Sequence, residues 1–245
     1  MTLVLSPHLD DAVFSCGALI SALSSHEPIT VITCFTQSVA DPQGFALECQ
    51  RDKGLADDVD YMALRRAEGS DAMRLLGADY IWYELPEAPH RGYHSAADLF
   101  GGIHPDDTYV AGPLVQRISE TLSRTGAEAL YYPLGAGNHV DHLQVVVAVD
   151  ELRKNFPELR YVQYYDQPYA NKHRDAYPGL SSFPTMEPKT LNDLGPGDYR
   201  YIARQSNLQR KWSACEAYRT QLPFQFGTKE KMRDLLGREE YFRLS

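Results

Sequence analysis

Short apolar runs rich in β-branched residues alternate with helical patterns along most of this chain, and no other feature constrains its fold as strongly. Strands are predicted for TLVLS, ITVITCF, YIWYEL, ALYYPL and YVQYYD, which begin at residues 2, 29, 80, 129 and 161. Helices are predicted over 12–23, 61–77, 110–124 and 142–155. This order favours parallel strands with helices on both faces of the sheet. We therefore expect an α/β fold, a Rossmann-like three-layer sandwich with a mostly parallel sheet, built as a single domain over residues 1–245.

Composition narrows the class of protein. The chain has 245 residues, of which 43% are hydrophobic, so it can bury a core without a disulfide or metal staple. Its net charge of −9 disfavours nucleic acid and anionic membrane surfaces as partners, because both select basic patches. No secretory signal is expected from the N-terminal sequence, and no apolar run approaches the roughly 20 residues that cross a bilayer. The four scattered cysteines are expected to be reduced thiols in a cytoplasmic protein.

A first polar cluster, in LVLSPHLDDAVFSCG, directly follows the first predicted strand. The imidazole of His8 and a carboxylate of the Asp10–Asp11 pair can converge on one metal ion, and zinc accepts both ligand types. Side chains of consecutive residues diverge, so one aspartate can bind the metal while its neighbour faces the attacking water. The alternative is an aspartate that only caps the helix that follows.

A second cluster, in GAGNHVDHLQV, lies where the fourth predicted strand is followed by a helix. His139 and His142 could chelate one metal, or one could bind the metal and the other the substrate. For a lone histidine, an ordinary surface or core position is the simpler interpretation. The carboxyl ends of parallel strands share one edge of the sheet, so the two clusters should meet in one crevice. There His8, Asp11 and His142 would supply the two imidazoles and one carboxylate of a zinc hydrolase.

Taken as a pair, PHLDD and HVDH resemble the two metal motifs of the LmbE/PIG-L deacetylases, zinc-dependent enzymes with a Rossmann-like fold that remove N-acyl groups. The resemblance implies that His8, Asp11 and His142 bind one Zn²⁺ per chain, with other divalent metals as alternatives. It also implies that Asp10 is the general base and that His139 stabilises the oxyanion. Similarity continues through RRAEGSDAMRLLG to KWSACEAYRTQ and so covers nearly the whole chain.

The sequence departs from the family's usual motifs at Leu9, Ala12 and Val140, which replace proline, glutamate and proline. None of the three is a proposed ligand or catalytic residue, so the metal chemistry is expected to survive. With alanine at position 12, the chain lacks an acidic residue that in the family commonly supports the metal ligands. The reaction type is therefore better defined than the substrate.

Candidate substrate-binding residues come from the same resemblance and from a neighbouring loop. In the family, an arginine three residues before a glutamate reaches substrate hydroxyls, and Arg65 and Glu68 have this spacing. Glu87, after the third predicted strand, corresponds to an acidic residue that contacts the sugar. Arg91 and Tyr93 are candidates to line the same cleft, unless this stretch is only a solvated loop. A pairing of Arg65 with Glu68 on their helix is the structural alternative.

Three long polar segments interrupt the pattern, over 36–60, 86–108 and 170–199. The first two are expected to wall the cleft. The third is expected to be an irregular excursion before a further strand, YRYIA, and a long helix. Asp166 and Tyr169 are weaker candidates to reach the cleft.

Together the motifs predict a zinc-dependent hydrolase that removes an N-acyl group, expected to be N-acetyl, from a small sugar-containing substrate. Two alternatives remain: a metal-dependent amidase of a thiol or natural-product conjugate, and a non-catalytic ligand-binding module with a degenerate metal site. The expected partner is a glycoside-like small molecule, with neither nucleic acid nor membrane involved. A homo-oligomer is compatible with the sequence.

Overall fold

The computed structural model describes residues 1–108, 110–188 and 193–245 of the chain. Eight strands lie in these ranges: β1 (Thr2–Ser6), β2 (Ile29–Thr33), β3 (Asp79–Trp82), β4 (Ala129–Pro133), β5 (Arg160–Tyr164), β6 (Thr185–Met186), β7 (Gly197–Ile202) and β8 (Glu239–Leu244). They form one sheet in the order β3–β2–β1–β4–β5–β8–β7–β6. The first five strands of this order pair in parallel, and β8 runs antiparallel to both of its neighbours. The five predicted strands and the mostly parallel sheet are confirmed.

Ten α-helices lie in the same described ranges: α1 (Asp11–Leu23), α2 (Gly44–Arg51), α3 (Tyr61–Leu76), α4 (Ala96–Leu99), α5 (Ala111–Thr125), α6 (Val140–Asn155), α7 (Gln167–Lys172), α8 (Gln205–Ala217), α9 (Leu222–Phe226) and α10 (Lys229–Leu236). Helices α1, α3 and α8 contribute to one apolar core, whereas α5 and α6 contribute to another. The sheet lies between these two helical layers, which confirms the three-layer α/β sandwich. In the described ranges, no helix has both the length and the apolar character needed to cross a membrane.

The central strands β1 and β2 are buried throughout and largely apolar because both faces of the sheet are covered. Val4 of β1 packs into the core on the α1 side, whereas Leu3 and Leu5 pack into the core on the α5 and α6 side. Successive side chains of a strand point to opposite faces. A strand with two covered faces therefore reads as an unbroken apolar run, as TLVLS does.

The polar segments contain more regular structure than the sequence predicts. Helix α2 lies within 36–60, and α4 lies within 86–108. In the segment 170–199, the end of α7 is followed by two short helical turns, Arg174–Ala176 and Leu180–Ser182, and then by β6. Residues 189–192 of that segment lie outside the described ranges.

Strand β8 is the main departure from the predicted topology. The expected strand YRYIA overlaps β7, but the sequence gives little indication of β8, whose residues EEYFRL mix charged and apolar types. Glu240 of β8 is fully buried, and its two oxygens accept from the backbone N–H groups of Ala18 and Leu19, each at 2.8 Å. Helical geometry in α1 is interrupted just before these residues, at Cys16, so Glu240 acts as a cap for the second half of that helix.

A lysine from α8 completes this buried group. Lys211 Nζ lies 2.8 Å from Oε1 of Glu240 and 2.8 Å from Oε1 of Gln167. Neither charged side chain is exposed to solvent. The ion pair therefore joins α1, α7, α8 and β8 behind the carboxyl edge of the sheet.

Lys211→Met should lower the free energy of unfolding by about 3–5 kcal/mol, because it leaves the Glu240 carboxylate buried without its ionic partner. Urea-induced unfolding measures the change. Arg51→Met is the matched control, since Arg51 pairs with Asp57 while both side chains are more than half exposed. It should change the free energy of unfolding by less than about 1 kcal/mol. Equal effects of the two substitutions would contradict the structural role of the buried pair.

Candidate metal centre and substrate cleft

The two polar clusters meet where β1 and β4 end side by side. Strand β1 is hydrogen-bonded to both β2 and β4, so it lies where the strand order reverses, the usual place of a ligand crevice in such sheets. His8 follows β1, whereas His139 and His142 lie at the start of α6. The His8 ring lies 5.0 Å from the His139 ring and 5.5 Å from the His142 ring. The two clusters therefore share one crevice, as the strand order predicts.

His8, Asp11 and His142 present three ligand atoms that lie within 4.8 Å of one another. Asp11 Oδ2 is 3.0 Å from His8 Nδ1 and 3.2 Å from His142 Nε2. The buried Nε2 of His142 has no hydrogen-bond partner among the described residues, although it forms an ion pair with Asp11 when it is protonated. A buried nitrogen without a partner is expected where a metal ion takes the partner's place. Two imidazoles and one carboxylate fit one divalent ion with open coordination positions.

Charges within the cluster are complementary. Burial lowers the pKa of His142, but the carboxylates of Asp11 and Asp166 outweigh this effect and raise the pKa to about 10. Asp11 and Asp141 likewise outweigh burial at His8, whose pKa is raised well above its usual value. Burial raises the pKa of Asp11, but the two imidazoles hold it well below its usual range. Without metal at neutral pH, the carboxylate therefore lies between two protonated histidines, and a divalent cation would replace those protons.

Each proposed histidine ligand is held from behind by a buried aspartate. His142 Nδ1 lies 2.6 Å from Oδ1 of Asp166, whose other oxygen accepts two backbone N–H groups. His8 Nε2 lies 2.9 Å from Oδ2 of Asp141. Such carboxylates fix the ring orientation and the tautomer of a metal-binding histidine. Asp166 therefore supports His142 and does not line the cleft.

A second group of potential ligands consists of His8, His139 and Asp141. Both oxygens of Asp141 already accept hydrogen bonds from the chain, Oδ1 from Arg91 and Oδ2 from the backbone N–H of Ala88. His139 Nδ1 accepts from the backbone N–H of Asp141. No atom of this group is buried without a partner, whereas the first group has one. The first group is therefore the better metal site.

Arg91 and Tyr93 do not line the cleft, which corrects the expectation from the sequence. The Arg91 side chain is fully buried, and its guanidinium donates to both Asp107 and Asp141. Tyr93 is also fully buried, and its hydroxyl donates to Asp107 at 2.9 Å. The loop turns inward because the buried carboxylates of Asp107 and Asp141 need these donors. Arg91 thus supports His8 through Asp141, and Tyr93 holds Asp107, which pairs with Arg91.

A cleft with a volume of about 280 Å³ opens beside the ligand cluster. Its lining includes the following residues predicted from the sequence: His8, Asp10, Asp11, Arg65, Glu87, His139 and Tyr169. Further lining residues come from α2, α4 and α9. Both long loops thus contribute to the cleft wall.

Asp10 lies beside the ligand cluster without belonging to it. It precedes α1, but its side chain makes no capping bond, so the capping alternative is wrong. Its Oδ1 accepts from Arg65 at 3.1 Å, and its Oδ2 accepts from Gln225 at 3.2 Å. Burial raises the pKa of Asp10 and Asp11 adds to the rise, while Arg65 opposes both. A raised pKa suits a carboxylate that accepts a proton near neutral pH.

His139 is neutral and has a defined tautomer. Burial lowers its pKa to about 3, and the neighbouring His8 adds to this effect. Its Nδ1 accepts from the backbone N–H of Asp141 at 3.2 Å, which caps α6. The ring proton therefore lies on Nε2. His139 can donate this N–H to a group in the cleft.

Arg65 is not paired with Glu68, so the structural alternative for this arginine is wrong. Its two terminal nitrogens donate to Glu87 and Asp10, and its side chain is only 5% exposed. Glu68 instead accepts from the backbone N–H and the hydroxyl of Thr220. Arg65 therefore connects the candidate base to the candidate sugar contact.

Both ligand motifs lie in the part of the chain that matches a known family. Residues 3–152 match the family described as PIG-L: GlcNAc-PI de-N-acetylase. The chain belongs to the PIG-L family. Among characterised proteins, it is similar to the 2'-N-acetylparomamine deacetylase of Streptomyces fradiae, with 33% identity over 177 residues. The match covers 71% of this chain and 59% of that relative, so the chain spans little more than half of the relative's length.

Two solved structures share the fold of this PIG-L family member over nearly its whole length. The zinc-inhibited form of teicoplanin deacetylase superposes with a TM-score of 0.79 at 21% identity, over 99% of this chain and 97% of that one. The A40926 pseudoaglycone deacetylase superposes with a TM-score of 0.75 at 24% identity, over 99% and 96%. At these identities the likeness concerns the fold alone.

Several supporting residues of this PIG-L site are absent from the sequence predictions. Gln225, in α9, donates a hydrogen bond to Asp10. Asp107, in the polar stretch HPDDT, accepts hydrogen bonds from Arg91. Neither residue type nor spacing distinguishes them from ordinary surface residues. Ala12, where the family usually has glutamate, is buried and packs in the apolar core.

Metal binding should release about two protons at neutral pH, because His8 and His142 are protonated without metal and must be neutral to bind it. The pKa values of both histidines are raised, so affinity should strengthen as pH rises through neutrality. Calorimetric titration with Zn²⁺ in buffers of different ionisation enthalpy measures the protons released. His142→Ala is the comparison, and Zn²⁺ binding as tight as that of the unaltered protein would remove His142 from the ligand set.

Proposed function

We propose that this chain is a zinc-dependent N-deacetylase that acts on a small substrate containing an acetylated amino sugar. The observation that carries the proposal is a cluster of three ligand residues beside a cleft whose lining includes a carboxylate with a raised pKa and a neutral histidine. Family membership and the deacetylase activities named for the relatives support the reaction type.

In the proposed reaction, a bound ion and the side chains of the chain have separate tasks. His8, Asp11 and His142 would hold the ion, which when bound polarises the amide carbonyl and lowers the pKa of water. Asp10 accepts the proton of the attacking water and returns it to the leaving amine. His139 donates its Nε2 proton in a hydrogen bond to the carbonyl oxygen as negative charge develops there. The products are a carboxylate and a free amine.

The sugar is proposed to lie on the side of the cleft that contains Arg65 and Glu87. Arg65 fixes the orientation of the Glu87 carboxylate through one hydrogen bond, and the carboxylate can accept further bonds from substrate hydroxyls. The same guanidinium holds Asp10, so sugar binding and the catalytic base are joined through one side chain. A glycoside-like small molecule is accordingly the proposed substrate.

The domain organisation and the cellular location are proposed from the sequence. We propose a single domain over residues 1–245 and a cytoplasmic location, in which the four cysteines stay reduced. An assay of the zinc-loaded protein for amine release from N-acetylglucosaminides tests the activity. Turnover of thiol or natural-product conjugates alone would favour the amidase alternative, and metal binding without any turnover would favour the ligand-binding module.

Asp10→Asn should keep the metal but lower kcat by about 10²–10⁴-fold, the usual contribution of a positioned general base. Asp11→Asn is the matched control one residue away, and it should lose metal affinity before anything else. Metal analysis and the rate of amine release from an N-acetylglucosaminide are measured on both variants. Loss of metal in Asp10→Asn alone would mean that the two roles are reversed.

Glu87→Ala should lower kcat/KM on an N-acetylglucosaminide by about 10–100-fold more than on acetanilide, because only the sugar loses a hydrogen bond to a charged group. Arg65→Ala is the comparison, since it also releases Asp10 and should therefore slow both substrates. The two ratios are obtained from the same amine assay. Equal losses on both substrates in Glu87→Ala would place the sugar elsewhere in the cleft.

A further inference from the structure

The cleft has two chemically unlike halves. On the Arg65 side, the rings of Tyr61 and Phe224 accompany charged and amide side chains, namely Asp52, Lys53, Arg65, Glu87, Gln221 and Gln225. Beside His139 the lining is largely apolar and consists of Ala96, Leu99, Phe100, Pro168 and Tyr169, of which Tyr169 alone carries a polar side-chain atom. Helix α4 and the residue after it supply the first three of these, and α7 supplies the other two.

Aromatic rings connect the apolar half directly to the reacting groups. The Phe100 ring lies 5.4 Å from the His139 ring and 5.9 Å from the Tyr169 ring. The Tyr169 ring in turn lies 5.8 Å from the ring of His142. The apolar surface thus begins at the proposed oxyanion donor and ends at a proposed metal ligand.

Tyr169 is fixed in this position by a close approach to the backbone. A Cβ atom on Gly137 would lie 2.7 Å from two carbons of the Tyr169 ring, and Gly137 has a φ of 89°. Only glycine meets both conditions without strain. Phe100, in contrast, remains 42% exposed although it is a large apolar side chain beside a cleft. The Phe100 ring is therefore accessible to a molecule in the cleft.

We propose that Leu99, Phe100 and Tyr169 form an acyl wall, which holds the acyl group of the substrate, and that Phe100 sets the acyl length that the cleft accepts. The inference rests on the proposed function. An N-acyl amino sugar has a polar half and an apolar half, joined at the amide that reacts. With the amide between Asp10 and His139, the sugar hydroxyls find charged and amide hydrogen-bond partners on the Arg65 side. The reverse orientation would place hydroxyls against Leu99 and Phe100, whose side chains offer no hydrogen-bond partner.

The test compares kcat/KM of the zinc-loaded protein on N-acetyl-, N-butyryl- and N-hexanoylglucosamine. The unaltered protein should prefer the acetyl substrate. Phe100→Ala should raise the butyryl-to-acetyl ratio about 10-fold or more, because each methylene that a pocket newly accepts changes selectivity by roughly 10–200-fold. Phe100→Leu should give an intermediate ratio.

Phe224→Ala is the matched control. Phe224 also lines the cleft and is 56% exposed, but it belongs to α9 on the Arg65 side. Its removal should leave the butyryl-to-acetyl ratio unchanged, whatever its effect on sugar binding. Far-ultraviolet circular dichroism verifies that each variant is folded.

The measured rates distinguish a failure of the acyl wall from a failure of the deacetylase function. If the acetyl substrate is hydrolysed but Phe100→Ala keeps the ratio of the unaltered protein, the acyl wall is overturned while the deacetylase function stands. An equal change of ratio in Phe224→Ala would also overturn it. If the unaltered zinc-loaded protein hydrolyses none of the three substrates, the proposed function fails, and the acyl wall fails with it.

Discussion

The parallel pairing of β1 with β4 is the contact on which the site depends. In this register Thr2 faces Ala129 and Val4 faces Tyr131, so the two strands end at the same level. Their C-terminal loops bring His8 within hydrogen-bond distance of Asp141, which lies 133 positions later in the chain. The three ligand atoms lie within 4.8 Å of one another, and a slip of one residue would shift a strand by about 3.3 Å. Backbone hydrogen bonds between β1 and β4 thus set the spacing of the proposed ligands.

Negative charge is concentrated behind and around the proposed ligands. The carboxylates of Asp10, Asp141 and Asp166 are almost completely buried, and Asp11 is only slightly more exposed. Buried carboxylates without partners strongly destabilise a fold. Arg65 and Arg91 compensate part of this charge, and a bound divalent cation would compensate more. The ion is therefore expected to stabilise the folded chain as well as the reaction.

Much of this architecture could be predicted from the sequence, for identifiable reasons. Strands buried on both faces must be apolar throughout, so β1, β2 and β4 stand out from the chain around them. Histidine and carboxylate side chains that follow such strands are suitable zinc ligands, and this points to the two motifs. Strand β8 is not predicted from the sequence, because the buried Glu240 makes its segment resemble a polar surface segment. A buried charge has no local signature when its partner lies elsewhere in the chain.

The direction of loop side chains could not be predicted in the same way. Glu87 and Arg91 belong to one loop, yet Glu87 faces the cleft and Arg91 turns inward. What decides the difference is Asp107, a carboxylate 16 positions after Arg91. Residue type indicates that a side chain can bind a sugar, but only the tertiary structure determines whether a stronger internal partner occupies it. Tyr93 likewise turns inward, because its hydroxyl donates to Asp107.

The capping of α1 by Glu240 affects the order in which the chain can fold. Glu240 and Ala18 are 222 positions apart, and the hydrogen bond between Tyr218 and Leu9 spans 209 positions. Contacts between such distant segments form slowly, because the entropy of a long loop is lost before the contact is made. All the proposed ligands are synthesised by residue 142, but the helix that begins at Asp11 is fully supported only once β8 is in the sheet. During synthesis on the ribosome, the chain therefore contains all its proposed ligands before the second half of α1 has its buried cap.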